Sequence, residues 1–172
     1  NAIGVSKLED LCHEFLPQIE DKIFGSFVIV EQAPIYRRVP CKLDEARATL
    51  WHSDHHFEGI IKVMIYLNDV GVQNGPFEHL RQKGTGNCVR VKALEPPKYP
   101  KSRVPKEVIS AYFENGYESH KVVGKRGTML IFDNKIIHKG NIVQSGHRDV
   151  LVFQLKPAAF KPERYMDPRW TK

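Results

Sequence analysis

Positions 52 and 54 carry the residues whose types and spacing first point to chemistry. His52-Ser53-Asp54 lies at the end of a predicted strand over 50–54. Side chains two residues apart on a strand project to the same face, so this strand offers an imidazole and a carboxylate side by side. Both groups ligate divalent metals, and the pair needs one further ligand to form a metal site.

A third ligand must come from a distant segment, and His138 is the candidate because it ends the β-branched run Lys135-Ile136-Ile137. Two imidazoles and one carboxylate on one face of an octahedron form the facial triad of non-haem Fe(II) oxygenases, which leaves positions open for substrate and oxygen. Arg148 follows and opens the last predicted strand. The His-x-Asp spacing alone is a weak signal, so the order of these residues along the chain carries the interpretation.

The elements that must position these residues are mostly strands. An N-terminal helix is predicted from the capping-box spacing of Ser6 and Glu9, and Pro17 is expected to bend or end it. A short helix is predicted within 104–115. Strands are predicted over 26–31, 35–39, 50–54, 59–69, 87–94, 119–123, 127–133, 136–141 and 149–155. Many short strands separated by Gly and Pro indicate a mainly β fold, a sandwich or a barrel.

This order of motifs resembles the Fe(II)/2-oxoglutarate-dependent dioxygenases, and within them the phytanoyl-CoA dioxygenase-like group. The resemblance covers residues 26–156. It rests on four stretches, which are Trp51 to Asp54, Lys62 to Val70, Asn74-Gly75-Pro76-Phe77, and Gly127 to Phe132 continuing through His138 to Arg148.

The resemblance implies a double-stranded β-helix (a cupin-like jelly-roll) with an N-terminal helix and one short helix in the insert. Residues 1–172 are expected to form a single dioxygenase domain, because 172 residues are enough for one core and short for two. Within it, we expect a helical lead-in over 1–25, a jelly-roll core over 26–156 and a tail over 157–172.

The resemblance also implies the site. His52, Asp54 and His138 would bind Fe(II) as the catalytic triad, and Arg148 would bind the distal carboxylate of the co-substrate 2-oxoglutarate, a job for which its planar, always charged guanidinium is suited. Lys62 and Tyr66, on one face of the following strand, are further co-substrate candidates. The implied reaction consumes O2 and releases succinate and CO2 while a small substrate is hydroxylated. Asp54 favours hydroxylation over halogenation.

Charge suggests the kind of substrate. Between Lys83 and Lys106 the sequence has seven cations and one acid, so we hypothesise an anionic substrate bound by Lys98, Lys101 and Arg103. A solvated surface loop is the alternative interpretation. A nucleic-acid partner is disfavoured because this segment has one aromatic residue for stacking, Tyr99, and because Gln154 stands where the nucleic-acid demethylases of this superfamily carry a second arginine.

Other interpretations stay open. Each site residue could have an ordinary structural role, and the main alternative function is a metal-binding, cupin-like isomerase or binding module without 2-oxoglutarate turnover. Three widely spaced cysteines fit a reducing compartment, and no signal peptide or membrane-spanning stretch is visible. We therefore expect a cytoplasmic protein without membrane insertion, and the sequence specifies no oligomeric state.

Overall fold

Two facing antiparallel sheets frame the structure. The computed structural model describes residues 2–41, 49–54, 59–91 and 103–166, with side chains from residue 6 onward. The predicted mainly β jelly-roll is confirmed. Its helices are α1 (Ala2–Ile19) and α2 (Lys106–Glu114), and its strands are β1 (Phe27–Gln32), β2 (Ile35–Arg38), β3 (Ile61–Tyr66), β4 (Phe77–Gln82), β5 (Tyr117–Val122), β6 (Met129–Asp133), β7 (His138–Gly140) and β8 (Arg148–Ala158).

Helix α1 covers the outer face of the larger sheet. The sequence predicts that Pro17 bends or ends the helix, but α1 continues to Ile19 and then widens into a π-helical turn over Glu20–Phe24. Leu16 and Ile19, on either side of Pro17, are buried against the sheet, and this packing holds the helix in place despite the missing N–H. Among the described residues, no helix has both the length and the apolar character that a membrane crossing needs.

The larger sheet has the order β1-β8-β3-β6, and β2 also pairs with β8. Alternation in the sequence predicts that Val63 and Ile65 share one face of its strand β3 and that Met64 and Tyr66 share the other, and the structure agrees. Val63 and Ile65 face outward into the cluster under α1, whereas Met64 and Tyr66 face inward into the core between the sheets. The larger sheet therefore separates two apolar layers and turns its inner face toward the smaller sheet.

The smaller sheet has the order β5-β4-β7. The sequence alone allows the connection after β7 to form either a hairpin or a crossing between sheets, and the family resemblance implies the crossing. Because β7 belongs to the smaller sheet and β8 to the larger, the crossing is confirmed. His138 and Arg148, at the starts of these two strands, consequently come from opposite walls of the jelly-roll.

Two predicted strands are not formed as such. In the segment 50–54 only His52 makes bridges, to Arg103 on one side and His138 on the other. Of the predicted strand 87–94, the structure describes residues up to 91, in which Cys88 and Arg90 form isolated bridges. This segment crosses from β4 toward the residues before β7 instead of following one strand, so its backbone bonds are divided between two partners.

The residues Asn74-Gly75-Pro76 predict a turn, and this turn brings two loops into close contact. Gly75 has a φ of +68°, in the left-handed region that side chains disfavour. A Cβ at this position would lie 2.5 Å from the carbonyl oxygen of Asn141 and 2.9 Å from the amide nitrogen of Val143. Glycine is required here for two reasons, its backbone conformation and the approach of the crossing connection.

Gly75→Ala should therefore destabilise the fold by more than Gly84→Ala, its matched control. Gly84 has a φ of +84°, but no heavy atom lies within 4 Å of the point that a Cβ would occupy, so its replacement incurs only the left-handed penalty of about 1–2 kcal/mol. The added collision at Gly75 should raise the total loss above about 3 kcal/mol. Urea unfolding of both variants measures the difference, and equal losses would contradict the close approach.

Candidate metal centre

Two histidines from distant parts of the chain are joined by their own backbones. The amide of His52 donates to the carbonyl of His138 at 2.9 Å, and the amide of His138 donates to the carbonyl of His52 at 2.8 Å. This reciprocal antiparallel pair places both side chains on the same face of the smaller sheet, with ring centroids 4.4 Å apart. A third backbone bond, from Asp54 to the carbonyl of Asn134 at 2.9 Å, fixes the carboxylate beside them.

The two imidazoles are held in the same tautomer. Nδ1 of His52 lies 2.7 Å from the carbonyl oxygen of Leu50, and Nδ1 of His138 lies 2.9 Å from that of Ile136. Because a carbonyl can only accept, each Nδ1 carries the proton and each Nε2 keeps its lone pair. A backbone carbonyl behind a histidine is the usual device that orients a metal ligand.

The lone pairs converge on Asp54. Nε2 of His52 lies 4.0 Å from its Oδ1, and Nε2 of His138 lies 3.6 Å from its Oδ2. One ligand atom from each of the three residues falls within 4.8 Å of the others. The structure thus brings together the three residues that the sequence analysis selected, and one ion can contact all of them.

Charge in the site favours the metal-binding protonation states. Burial raises the pKa of Asp54, but Lys62, His138 and His52 together outweigh it and hold this pKa below its ordinary value. The Lys62 ammonium donates to Oδ2 of Asp54 at 2.7 Å. Burial lowers the pKa of His138 to about 4, so its imidazole is neutral near pH 7. Ligands must be deprotonated to bind a metal, and Asp54 and His138 satisfy that condition.

A cavity of about 220 Å³ extends from the triad between the two sheets toward Arg148. Arg148 is 2% exposed and uses Nη1 to donate to the carbonyl of Gly75. Its Nε is buried and has no hydrogen-bond partner among the described residues. A buried guanidinium that retains a free donor and lines a cavity is suited to an anionic ligand.

The residues fit iron together with 2-oxoglutarate. Two neutral imidazoles and one carboxylate are the ligand set of non-haem iron, and they occupy only one face of the ion. The cavity has a metal-ligating end and a cationic end, and 2-oxoglutarate has a chelating keto-acid end and a distal carboxylate. The unpaired Nε of Arg148 supplies a donor that such a carboxylate would accept from.

The remaining predicted site residues lie in different places. Lys62 lines the cavity. The hydroxyl of Tyr66 donates to the carbonyl of Val122 at 2.8 Å and accepts from the amide of Phe77 at 3.1 Å, so it joins the two sheets, and Tyr66 is not among the described residues that line the cavity. Arg103 bridges His52 but lines a separate cavity. Lys98 and Lys101 lie outside the described residues.

Strand β2 contributes a wall of the triad cavity that the sequence did not predict. Tyr36 and Arg38 both line the cavity, and Arg38 pairs directly with Arg148 in the register of β2 and β8. The signal was present, because alternation along the predicted strand 35–39 places these two residues on one face. Which face would be the inner one depended on the pairing with β8, and the sequence did not give that pairing.

Comparison with known proteins identifies the fold. AviO1 from Streptomyces viridochromogenes Tue57 has a TM-score of 0.51 and 20% identity, with 78% of this chain and 53% of that chain covered. EctD from S. alaskensis, with 2-oxoglutarate and 5-hydroxyectoine, has a TM-score of 0.55 and 19% identity over 82% and 50%. HygX from Streptomyces hygroscopicus, with nickel and 2-oxoglutarate, has a TM-score of 0.53 and 14% identity over 91% and 66%.

These similarities lie in structure and not in sequence. No protein-family profile matches the chain, and no curated protein matches it. The chain spans about half the length of the AviO1 and EctD structures. Membership of the phytanoyl-CoA dioxygenase-like group stays a prediction. The chain has the fold of the Fe(II)/2-oxoglutarate-dependent dioxygenases, the superfamily that its motifs resemble.

Proposed function

We propose that the protein is an Fe(II)- and 2-oxoglutarate-dependent dioxygenase of the phytanoyl-CoA dioxygenase-like group, which hydroxylates a small substrate and releases succinate and CO2. One observation carries the proposal. The ligand atoms of His52, Asp54 and His138 meet at one end of a cavity whose other end contains the buried guanidinium of Arg148. EctD and HygX, which share the fold, have been crystallised with 2-oxoglutarate, and both also with iron.

Iron, when bound, supplies the redox chemistry that couples O2 reduction to the oxidation of 2-oxoglutarate and substrate. The protein residues fix the geometry of that chemistry. His52 and His138 present their Nε2 lone pairs in fixed directions because their Nδ1 protons are bound to backbone carbonyls. Asp54 contributes one negative charge, and Lys62 holds its Oδ2, which leaves Oδ1 directed toward His52.

Arg148 sets the direction in which the co-substrate lies. Its position opposite the triad would anchor the distal carboxylate and leave the keto-acid end at the metal. Gly75 holds this guanidinium from behind through its carbonyl oxygen. Apolar side chains, among them Met64, Phe77 and Phe132, line the space between and exclude water from it. We also propose that residues 26–156 form the catalytic core of a single domain over 1–172.

The proposal predicts 2-oxoglutarate-dependent succinate formation that requires the triad. With Fe(II), O2 and a panel of small substrates, the wild-type protein should release succinate, and His52→Ala or His138→Ala should lower the rate at least about 100-fold. His120→Ala is the matched control, since His120 lies on the same sheet face but away from the triad, and it should retain activity.

Calorimetric titration with Ni(II) separates the possible failures of this experiment. The two triad variants should lose metal affinity, and His120→Ala should not. Metal binding without any succinate would favour the cupin-like isomerase or binding module instead. Metal binding that both triad variants retain would contradict the proposed centre.

Arg148 should affect the co-substrate and spare the metal. Arg148→Lys keeps the charge but loses the planar fork, so the apparent requirement for 2-oxoglutarate should rise about 10-fold or more, while Ni(II) affinity changes by less than about twofold. Succinate assays at varied 2-oxoglutarate and calorimetry measure the two quantities. Equal losses in both would identify Arg148 as a purely structural residue.

We further propose that the substrate carries an anionic group recognised by Lys98, Lys101 and Arg103. The basic character of the segment supports this, as does the bridge that Arg103 makes with the metal-ligating segment at His52. Replacing all three residues by Glu should raise KM for anionic members of a substrate panel and leave the 2-oxoglutarate requirement unchanged. Lys161→Glu, on the C-terminal tail, is the control. An unchanged KM would contradict the anionic substrate.

A further inference from the structure

A second cavity of about 780 Å³ lies close to the metal-binding segment, and it is more than three times as large as the first. Its walls come from the segment 49–51, from the residues leading into α2 and from α2 itself. The described residues that line it include Trp51, Arg103, Lys106, Ile109, Ser110 and Lys139.

This outer cavity lies on the opposite side of the smaller sheet from the triad. Trp51 precedes His52 and Lys139 follows His138, and neighbouring residues in extended chain point to opposite faces. Trp51 accordingly packs in the apolar cluster formed by Leu80, Ile109 and Ile137, outside the jelly-roll. The sheet itself separates the two cavities, so a ligand in one does not contact the metal ligands in the other.

The outer cavity combines an apolar wall with positive charge. Trp51, Val104 and Ile109 line it and belong to the apolar cluster on this side of the sheet. The charged residues among its described lining are Arg103, Lys106 and Lys139, with no Asp or Glu. Arg103 pairs in register with His52 and shares its face of the sheet, so the ammonium groups that this cavity offers are those of Lys106 and Lys139.

Lys139 is fixed within this cavity. Its ammonium lies 4.8 Å from the centre of the Trp51 ring and 3.6 Å from Oε2 of Glu78. It therefore stands where the apolar wall meets the charged rim. Lys106 is exposed at the start of α2 and has no ion pair among the described residues, so its ammonium is free to meet a ligand.

We propose that the outer cavity is a binding site for a monomeric anionic amphiphile, a molecule with a hydrocarbon or aromatic body and one carboxylate-like head group. The body would pack on Trp51 and Ile109, and the head group would meet Lys106 and Lys139. Charge complementarity selects this occupant, because Lys106 has no ion pair among the described residues and an anionic head group would supply one beside the apolar wall. The site is independent of the proposed oxygenase activity and can be tested without iron.

Trp51 is a built-in reporter for this site. The chain has two tryptophans, Trp51 and Trp170, so Trp170→Phe leaves Trp51 as the only tryptophan, and excitation beyond the tyrosine absorption band reports on it alone. Titration of this protein with decanoate below its critical micelle concentration should change the fluorescence saturably. Decanol, which has the same body without the charge, should bind at least about 10-fold more weakly. Absence of a saturable change would overturn the site, and equal binding of decanol would overturn the head-group recognition.

Variants locate the bound molecule. Lys106→Glu should weaken decanoate binding about 10-fold, while Lys7→Glu, which makes the same charge change on α1, should have no effect. Ser110→Phe on the exposed side of α2 should block the cavity, and it serves as a second test should Lys106→Glu alter the helix. Circular dichroism verifies the fold of each variant. Equal effects of Lys106→Glu and Lys7→Glu would contradict the location.

Competition with 2-oxoglutarate distinguishes the two cavities. Saturating 2-oxoglutarate should leave decanoate affinity unchanged, since the ligands would occupy opposite faces of the sheet. Displacement of decanoate would place it in the triad cavity and overturn the proposal. The proposed oxygenase activity could fail in its own assay without altering any of these results.

Discussion

The reciprocal backbone bonds between His52 and His138 are the contact on which the rest of the site depends. They set the two imidazoles side by side, and the carbonyls of Leu50 and Ile136, two residues before each histidine, orient both rings. Neither the segment around His52 nor the segment around His138 forms a long strand. The site is thus built from a short, doubly bonded junction, in which backbone atoms set the positions of both rings.

Strand β8 supplies Arg148, at the opposite end of the cavity from this junction. It pairs with β1, β2 and β3 within the larger sheet, and Arg148, at its start, lies opposite Arg38 of β2. The smaller sheet supplies the histidines, and the larger supplies the arginine and the lysine that holds Asp54. The distance between the two cavity ends is therefore set by how the sheets pack, through the apolar core that Met64, Phe77 and Phe132 share.

The sequence predicted much of this arrangement, and the shortfalls have physical causes. Residue types and order predicted that His52, Asp54 and His138 lie together, and alternation predicted the two faces of β3. The strand expected at 50–54 did not form because isolated backbone bonds are enough to place His52 and Asp54 without a continuous ladder. Arg38 was missed since its inward orientation follows from long-range pairing with β8. The predicted role of Tyr66 at the co-substrate is not tested; its hydroxyl joins backbone groups of two segments.

The origin of the triad in two remote segments also links metal to folding. The unfolded chain holds His138 far from His52 and Asp54, so the complete ligand set exists only in the native state. An ion bound by that set would shift the folding equilibrium by mass action, by about 2.7 kcal/mol at a free concentration one hundred times its dissociation constant. Conformational stability would then follow the supply of metal in the surrounding medium.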